Sequence, residues 1–448
     1  MGKARIRYVR SEGDVHIAYS TVGSGEQDYC IILPSLGTIE VLGDPPARRM
    51  VEGTAKHSRL ISFDRRGAGL SDPVEEPATL EEQMSDVIAV LDACGSERAV
   101  IEAQAEAAML AVMFAGTHPE RVSHLVLMHP IARTVAAPGY EWGWADAETR
   151  NREFVRPALA RWGTGENGVG ASPIMAATTP EFIEWWGKWE RLSSSPGTLE
   201  KRMDLLAKMD VREILPRVQA PTLILDRPQA RAMDSRHSKY FAENIPGAKL
   251  VELPGRDAIS FGEGFEEYMD AIEQFTRGSV APRRDERALA TVMFTDIVGS
   301  TEFAAEHGDR GWRDVLERHD RITRDLVGAY GGVAVKSTGD GFLATFDGPA
   351  RAVRCATEIG ERVGDLGISL RAGLHTGEVE MIGSDVGGMA VHIGARIGAL
   401  GSAGEVLASS TVRDLVVGSG IEFAPRGTHE LKGVPGEWSL YEVTSAER

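Results

Sequence analysis

The chain has 448 residues and a formal net charge of -17, so it exceeds the size at which one hydrophobic core usually stops growing. The negative charge argues against a nucleic-acid partner, and three scattered cysteines predict neither a disulfide framework nor a zinc site. The sequence contains neither a run of about 18 apolar residues nor an apolar signal core, which predicts a cytoplasmic protein without a membrane span.

The first half of the chain alternates strand-like and helix-like segments. Thr79 and Glu82 stand at the spacing of a capping box, which predicts that an amphipathic helix begins there. Strands that alternate with helices predict a mostly parallel sheet covered on both faces. The segments that each contain a predicted strand are residues 6–10, 15–20, 29–37, 59–72, 99–122 and 123–130.

This half resembles the α/β-hydrolase fold across residues 6–275, through the segments DRRGAGLSD, AQAEA, PTLILD and VELPG. In that family the elbow between strand and helix reads Gly-x-Ser-x-Gly and exposes a nucleophile. Here the position of the nucleophile is Ala105, and the positions expected for the acid and the histidine are Ala230 and Ala258. The resemblance therefore implies the fold without hydrolase catalysis.

Several polar residues near these three alanines are alternative catalytic groups. Asp226, Asp234, His237 and Asp257 are all close in sequence, but they have no hydroxyl or thiol to activate at the elbow. Ser35 is an alternative nucleophile, although a loop serine that caps its own backbone is the favoured interpretation.

Between residues 131 and 209 the strand pattern stops and helical segments take over, as in the cap that hydrolases insert over their pocket. Six of the eight tryptophans fall in this region, and we expect them to pack the cap onto the sheet. The alternative is an aromatic pocket for an apolar small-molecule ligand. The six are Trp142, Trp144, Trp162, Trp185, Trp186 and Trp189.

A polar stretch with Gly and Pro at residues 277–288 predicts a linker between domains 1–276 and 289–448. After it, TVMFTDIVGST reads as a buried strand that runs into a helix, with Asp296 at the join. Such a turn offers backbone N–H groups to an anion, and a carboxylate beside an anion requires a divalent cation between them. Asp340, in a Gly-Asp-Gly turn, supplies a second carboxylate for a pair of metal ions.

Four motifs in the second half, TVMFTDIVGST, KSTGDGFLATF, LRAGLHTGEVE and DVGGMAVHIGARI, together resemble the class III nucleotidyl cyclase catalytic domain. The order of segments predicts a ferredoxin-like α+β fold. The predicted fold includes one long helix at 301–330, a helix at 348–363, a strand at 368–375 and a helix carrying the Asp385 motif. The resemblance implies an adenylate cyclase that converts ATP to 3',5'-cyclic AMP and pyrophosphate, with two Mg²⁺ or Mn²⁺ ions per site.

The resemblance also implies a role for each residue that matches a family motif. In that family, one residue of the adenine-selecting pair donates a hydrogen bond to ring N1 of adenine, and the other accepts one from the 6-amino group. The matching residues are the metal ligands Asp296, Asp340 and the carbonyl of Ile297; the adenine pair Lys336 and Asp385; the phosphate-binding Arg371, Lys432, Gly299, Ser300 and Thr301; and the catalytic His392 and Arg396.

His392 departs from the family pattern, because the family usually has an asparagine there that orients the ribose. Imidazole can still donate a hydrogen bond, with a different reach, so we expect reduced or pH-sensitive turnover. The alternative is that His392 lies on a helix face with its hydrogen bonds satisfied and has no catalytic role. In the family the metal ligands come from one protomer and the remaining residues from its partner, so the resemblance implies a head-to-tail homodimer.

Three functions from different classes follow from these patterns. The first is an adenylate cyclase whose hydrolase-like domain is regulatory or dimerising. The second is an esterase or lipase with a cyclase-like regulator, which Ala105 disfavours. The third is a ligand sensor in which neither domain is catalytic, which the complete metal and adenine sets disfavour.

Overall fold

The computed structural model describes the chain in five stretches, which are residues 5–35, 37–278, 287–337, 339–382 and 385–446. The chain separates into two compact units, Met1–Arg284 and Asp285–Arg448. Of the predicted linker at 277–288, residues 279–286 lie outside the described stretches. None of the helices in these stretches combines the length and the apolar character needed to cross a membrane.

One sheet forms the centre of the first unit. In the described residues its strands are β1 (Arg7–Arg10), β2 (His16–Val22), β3 (Gln27–Ile32), β4 (Ser58–Phe63), β5 (Ala99–Gln104), β6 (Val122–Met128), β7 (Thr222–Asp226) and β8 (Lys249–Glu252). Their order is β1-β2-β4-β3-β5-β6-β7-β8. Strands β3 to β8 are parallel, and β1 and β2 add antiparallel strands at one edge. The expected mostly parallel sheet is confirmed.

Helices connect the parallel strands of this sheet. The capping box of the second helix is present, because the Thr79 hydroxyl accepts from the Glu82 N–H and the Glu82 carboxylate accepts from the Thr79 N–H. The third helix follows the elbow and is buried along its whole length. These helices are α1 (Pro45–Ala55), α2 (Leu80–Ala93) and α3 (Ala107–Thr117).

The predicted helical cap lies between β6 and β7. Its helices are α4 (Ala147–Arg150), α5 (Arg156–Ala160), α6 (Glu166–Ala171), α7 (Pro173–Thr178), α8 (Phe182–Ser193) and α9 (Pro196–Leu206), and α10 (Ser235–Asn244) and α11 (Phe265–Gly278) follow in the main body. On α8, Trp185, Trp186 and Trp189 are buried in the core that includes sheet residues. The packing interpretation is therefore confirmed for these three tryptophans.

The second unit is built on a mostly antiparallel sheet. In the described residues its strands are β9 (Arg287–Val298), β10 (Val333–Ser337), β11 (Gly341–Phe346), β12 (Ser369–Ile382), β13 (Asp385–Gly387), β14 (Val406–Ser409), β15 (Glu422–Glu430) and β16 (Glu437–Ser445). Their order is β10-β11-β9-β12-β14-β16-β15, and β13 pairs with β12. Only the pair β12 and β14 is parallel among those described.

Helices pack on the two faces of this second sheet. They are α12 (Ser300–Ala329), α13 (Pro349–Gly364), α14 (Met389–Ala399) and α15 (Ser410–Leu415). Because side chains alternate along a strand, Met293 of β9 joins the core formed with α12 and α13, whereas Val292 joins a cluster with Ala390 of α14. The strand β9 is therefore buried on both faces, as its apolar run predicts.

Three details of the predicted α+β order differ in the structure. The helix expected at 301–330 is interrupted at Gly308, whose φ of 73° lies in the left-handed region that glycine tolerates without a Cβ clash. Asp385 does not lie on a helix but on the short strand β13, since α14 begins only at Met389. The strand expected at 368–375 also continues to Ile382, because it pairs with β9 along most of its length.

Candidate active site

The two candidate metal ligands lie at the ends of neighbouring strands. Asp296 of β9 faces Gly341 of β11 in register, and the Ile297 N–H donates to the Asp340 carbonyl at 3.2 Å. Gly299 turns the chain with a φ of 72°, and Ser300 begins α12 and donates its hydroxyl to the Asp340 carboxylate at 2.6 Å. The predicted join of strand and helix thus places both carboxylates together.

Arg371 is the immediate partner of Asp296. The two residues face each other between β12 and β9, and the Arg371 Nε donates to the Asp296 Oδ2 at 2.9 Å. Another nitrogen of the guanidinium reaches the Ala399 carbonyl at the end of α14 at 3.3 Å. About a third of each side chain of the pair remains exposed, at 31% and 36%. The guanidinium of Arg371 thus lies directly beside the candidate metal ligand Asp296.

The donors around Asp296 and Asp340 are oxygens, which suit Mg²⁺ or Mn²⁺. No group of three or more His, Cys, Asp or Glu side chains that could hold a metal occurs in the described stretches. That is compatible with a Mg²⁺ site, since Mg²⁺ is usually bound by one or two carboxylates together with substrate phosphates. The residues present therefore fit a metal that is completed by substrate oxygens.

Lys336 and Asp385, which are 49 positions apart, form an ion pair. The Lys336 Nζ lies 2.8 and 2.7 Å from the two carboxylate oxygens of Asp385, and both side chains are about half exposed, at 45% and 50%. The Lys336 ammonium and the Val386 N–H hold the pKa of the Asp385 carboxyl below its usual value. One chain therefore presents a cationic donor and an anionic acceptor side by side.

His392 and Arg396 lie one turn apart on the exposed face of α14. The Arg396 Nε donates to the Lys432 carbonyl at 3.2 Å, and the Lys432 side chain is exposed. Arg396 therefore connects α14 to the segment of Lys432, and His392 lies one turn before it on the same helix. Thr301 follows Ser300 as the second residue of α12.

The position of α14 depends on two glycines. A Cβ atom added at Gly373 of β12 would lie 2.1 Å from the backbone nitrogen of Gly398, and one at Gly394 would lie 2.6 Å from the Val292 side chain. Real Cβ atoms do not approach other atoms so closely, so α14 contacts β12 backbone to backbone. This contact sets the positions of His392 and Arg396.

In the first unit the elbow is present without its catalytic groups. Ala105 has a φ of 53°, which is the strained conformation of a nucleophile elbow. The side chain of Gln104, which precedes Ala105, donates to the Ala258 carbonyl. The positions predicted for the nucleophile and the histidine are therefore close together. Ala230 is buried after β7. None of the three alanines can attack, accept a proton or orient a base.

Asp226 and His237, two of the alternative catalytic residues, are hydrogen-bonded to other side chains. Asp226 accepts from Ser235, Ser238 and the His129 ring. His237 bonds the Tyr140 hydroxyl, and burial lowers the pKa of its ring to about 4.

Asp257 and Ser35, two further alternatives, also contact other groups of the fold. Asp257 accepts from the backbone N–H groups of Ile174 and Glu263. The Ser35 hydroxyl lies 3.5 Å from Arg65, a cation that cannot accept its proton. Ser35 therefore lacks a base in this contact.

Comparison with known families gives the second unit a clear relationship. Residues 284–445 match the family model described as adenylate and guanylate cyclase catalytic domain. The second unit is a class III cyclase domain. Over 157 residues the chain is 31% identical to "Putative adenylate cyclase 3" of Rhizobium meliloti, in a match that covers 33% of this chain and 27% of that protein. The chain thus spans about a quarter of the length of this relative.

The first unit has the α/β-hydrolase fold. Over 213 residues it is 26% identical to "Putative carbamate hydrolase RutD" of Azorhizobium caulinodans, and this match covers 46% of this chain and 76% of that protein. A solved bromoperoxidase from Bacillus anthracis superposes with a TM-score of 0.53 at 18% identity, over 61% of this chain and all of that chain. A hydrolase from Pseudomonas aeruginosa gives a TM-score of 0.50 at 19% identity, over 62% of this chain and all of that chain.

Sequence reasoning missed three features of these sites. The ion pairs of Arg371 with Asp296 and of Lys336 with Asp385 join residues on different strands, and their spacing in the sequence gives no signal for such contacts. It also missed the ion pair of Arg65 with Glu106, the residue after the elbow alanine, at 3.8 Å.

The contact between Gly373 and Gly398 leads to a prediction for the cyclase domain. We expect Gly373→Ala to push α14 away from β12, to lower the stability of the domain by about 1–3 kcal/mol and to reduce nucleotide turnover. Thermal unfolding and activity assays would measure both effects. Gly360→Ala on α13 is the matched control, because a Cβ there meets nothing within 4 Å and should leave both properties unchanged or improved. Equal behaviour of the two variants would contradict the proposed role of this contact.

Proposed function

We propose that the cyclase domain converts ATP to 3',5'-cyclic AMP and pyrophosphate. The observation that supports ATP most directly is the pair formed by Lys336 and Asp385. Adenine presents an acceptor at N1 and a donor at its 6-amino group, which matches an ammonium beside a carboxylate. Guanine presents a carbonyl oxygen and a 2-amino group, which suit an acidic and a small polar residue instead.

The remaining residues have complementary tasks in this proposal. Asp296 and Asp340 would hold divalent cations, whose charge would lower the pKa of the ribose 3'-hydroxyl and offset the charge of the triphosphate. The backbone turn at Gly299 and Ser300 faces the phosphates, and Arg371 and Lys432 bind the outer phosphate oxygens. Arg396 stabilises the charge that develops at the α-phosphate as pyrophosphate leaves, and His392 orients the ribose.

We further propose that each site is shared between two copies of the chain. In the resemblance to class III cyclases the metal carboxylates of one protomer work with the adenine pair and Arg396 of the other. Three large apolar side chains near these residues support a contact surface, since Val298 ends β9, Met389 begins α14 and Leu400 follows α14. They are exposed by 38%, 51% and 44%.

For the first unit we propose a regulatory or dimerising role. Ala105 cannot form an acyl-enzyme, so no observation favours the esterase alternative. Replacing Ala105 by Ser alone should not restore ester hydrolysis, because Ala230 and Ala258 leave the new hydroxyl without a base. A chromogenic acyl ester incubated with the purified variant would reveal any turnover. Specific activity of residues 287–448 equal to that of the full chain at every protein concentration would contradict the regulatory role.

The reaction itself can be tested directly. The purified 448-residue chain would be incubated with ATP or GTP and with Mg²⁺ or Mn²⁺, and the nucleotide products would be separated and identified by mass. We expect cyclic AMP and pyrophosphate in equal amounts from ATP, and much less cyclic GMP from GTP. A preference for GTP would contradict the assignment of the adenine pair, and no cyclic product with either metal would contradict the cyclase reaction.

A further inference from the structure

The helix α12 consists of two parts that contact each other. It is interrupted at Gly308, whose φ of 73° and ψ of 164° are not helical. Phe303 before the break and Trp312 after it have ring centroids 5.8 Å apart. In a continuous helix, residues nine positions apart lie on opposite faces and roughly 13 Å apart along the axis. The break at Gly308 therefore bends the first part of α12 towards the second.

Both parts of α12 contact the hairpin formed by β10 and β11, whose turn contains Asp340. Ser300, the first residue of the helix, donates its hydroxyl to the Asp340 carboxylate at 2.6 Å. In the second part, the Asp320 carboxylate accepts from the Ser337 hydroxyl at 3.2 Å. One bent helix thus bonds to the hairpin both in the turn that carries a candidate metal ligand and at the end of the strand before it.

The second part of α12 contacts both strands of this hairpin. Ser337 of β10 faces Phe342 of β11 in register, in the strand pair nearest to the turn. The Arg324 guanidinium, one helical turn after Asp320, lies 5.2 Å from the centre of the buried Phe342 ring. Asp320 and Arg324 therefore contact the two members of one strand pair.

The strand β10, which carries Lys336, depends on such contacts for its position. It lies at the edge of the sheet, and its pairing with β11 shifts register between Ala334 and Lys336. An edge strand with an irregular ladder is held by fewer backbone hydrogen bonds than a central strand. Neighbouring side chains of a strand point to opposite faces, so Ser337 bonds α12 while Lys336 bonds Asp385 on the other side.

We propose that Asp320 is a positioning residue of the cyclase site, which acts through Ser337 to fix the direction of Lys336. This inference rests on the proposed function, in which Lys336 donates to adenine. Asp320 touches neither the nucleotide nor a metal in this role. Its bond with Ser337 has an ionised acceptor, and such bonds are stronger than those between neutral groups.

An ion pair with Arg324 is the other role that the contacts of Asp320 suggest. The two side chains are four positions apart on the helix, and their closest nitrogen and oxygen lie 3.9 Å apart. An exposed pair at this separation contributes little to stability. The shorter contact with Ser337 is therefore the one to which we assign the function of Asp320.

The kinetic test compares kcat/KM for ATP and for GTP in the 448-residue chain. Asp320→Ala and Ser337→Ala should each lower kcat/KM for ATP by about tenfold, because each removes a hydrogen bond to a charged group. Both should also reduce the preference for ATP over GTP, since Lys336 is no longer held in place. A general loss of stability would lower the two values equally. Asp325→Ala, at an exposed position of the same helix, is the control and should keep the parental values.

Two further variants show whether the bond itself is responsible. Ser337→Thr keeps the hydroxyl and should retain most of the parental preference for ATP. The double variant Asp320→Ala/Ser337→Ala should be no worse than either single variant, because both changes remove the same bond. Losses that multiply in the double variant, or a parental ATP preference in Asp320→Ala, would overturn the proposal.

A second measurement does not depend on turnover. Amide hydrogen exchange across residues 333–346 and the affinity for a non-reactive ATP analogue would be compared between Asp320→Ala and Asp325→Ala. We expect faster exchange and weaker binding in Asp320→Ala alone, and equal values in the two variants would overturn the positioning role. If these differences appear but the parent chain forms no cyclic product, the positioning role is supported and the proposed reaction is contradicted.

Discussion

Asp296→Asn and Asp340→Asn are each expected to lower the rate of cyclic AMP formation by about a thousandfold or more. An amide oxygen carries no formal charge, so either change removes one of the two anionic metal ligands that we propose for the site. Asp296→Asn also removes the ion partner of Arg371. The measurement is the initial rate of product formation at saturating ATP with Mg²⁺ and with Mn²⁺.

The control for this loss is Asp325→Asn, which removes a carboxylate from an exposed position on α12. It should keep parental turnover, and all three variants should unfold within a few degrees of the parent protein. Parental activity in both Asp296→Asn and Asp340→Asn would show that the metals are bound elsewhere. A loss confined to the variant that unfolds early would indicate a structural effect instead.

Mixing two inactive variants is expected to restore activity. Asp296→Asn damages the metal side of a shared site, and Arg396→Gln damages the opposite side, so a mixed dimer has one site with both lesions and one with neither. If subunits exchange freely, half of the dimers are mixed and each has one intact site of two, which gives roughly a quarter of parental activity. The rate would be followed after mixing equal amounts at several total concentrations.

A matched mixture separates this effect from simple stabilisation of one subunit by another. Asp296→Asn mixed with Asp340→Asn places both lesions on the metal side, so every dimer has two damaged sites and no activity should return. Recovery in this mixture, or no recovery with Arg396→Gln in subunits shown to exchange by a label, would contradict the shared site.

The sequence was most informative where local pattern decides the structure. The turn from β9 into α12 places Asp296 near a strand end because Gly299 follows the apolar run directly and turns the chain. Ser300 was expected to cap the helix, but Gly299 is the N-cap and makes no side-chain cap bond. The capping box of α2 was also predicted from a local pattern. Loss of the hydrolase nucleophile also follows from one residue, Ala105, at the elbow.

Contacts between distant segments could not be predicted from such patterns. The pairing of Lys336 with Asp385 requires β10 and β13 to lie side by side, and the helical pattern around Asp385 conceals that it belongs to a strand. The break at Gly308 depends on a backbone angle that a glycine permits but does not require. Arg65 follows β4 and Glu106 follows β5, so only the folded chain brings their charges together.

The contact between Gly373 and Gly398 has a mechanical consequence. At this contact no side chain separates α14 from β12, so a rotamer change there cannot absorb a movement of one relative to the other. The strand that pairs with the Asp296 strand and the helix that carries Arg396 therefore move as one rigid body. If the two residues serve different sites of a dimer, a displacement within one subunit reaches both sites at once, and the two sites share a common geometry.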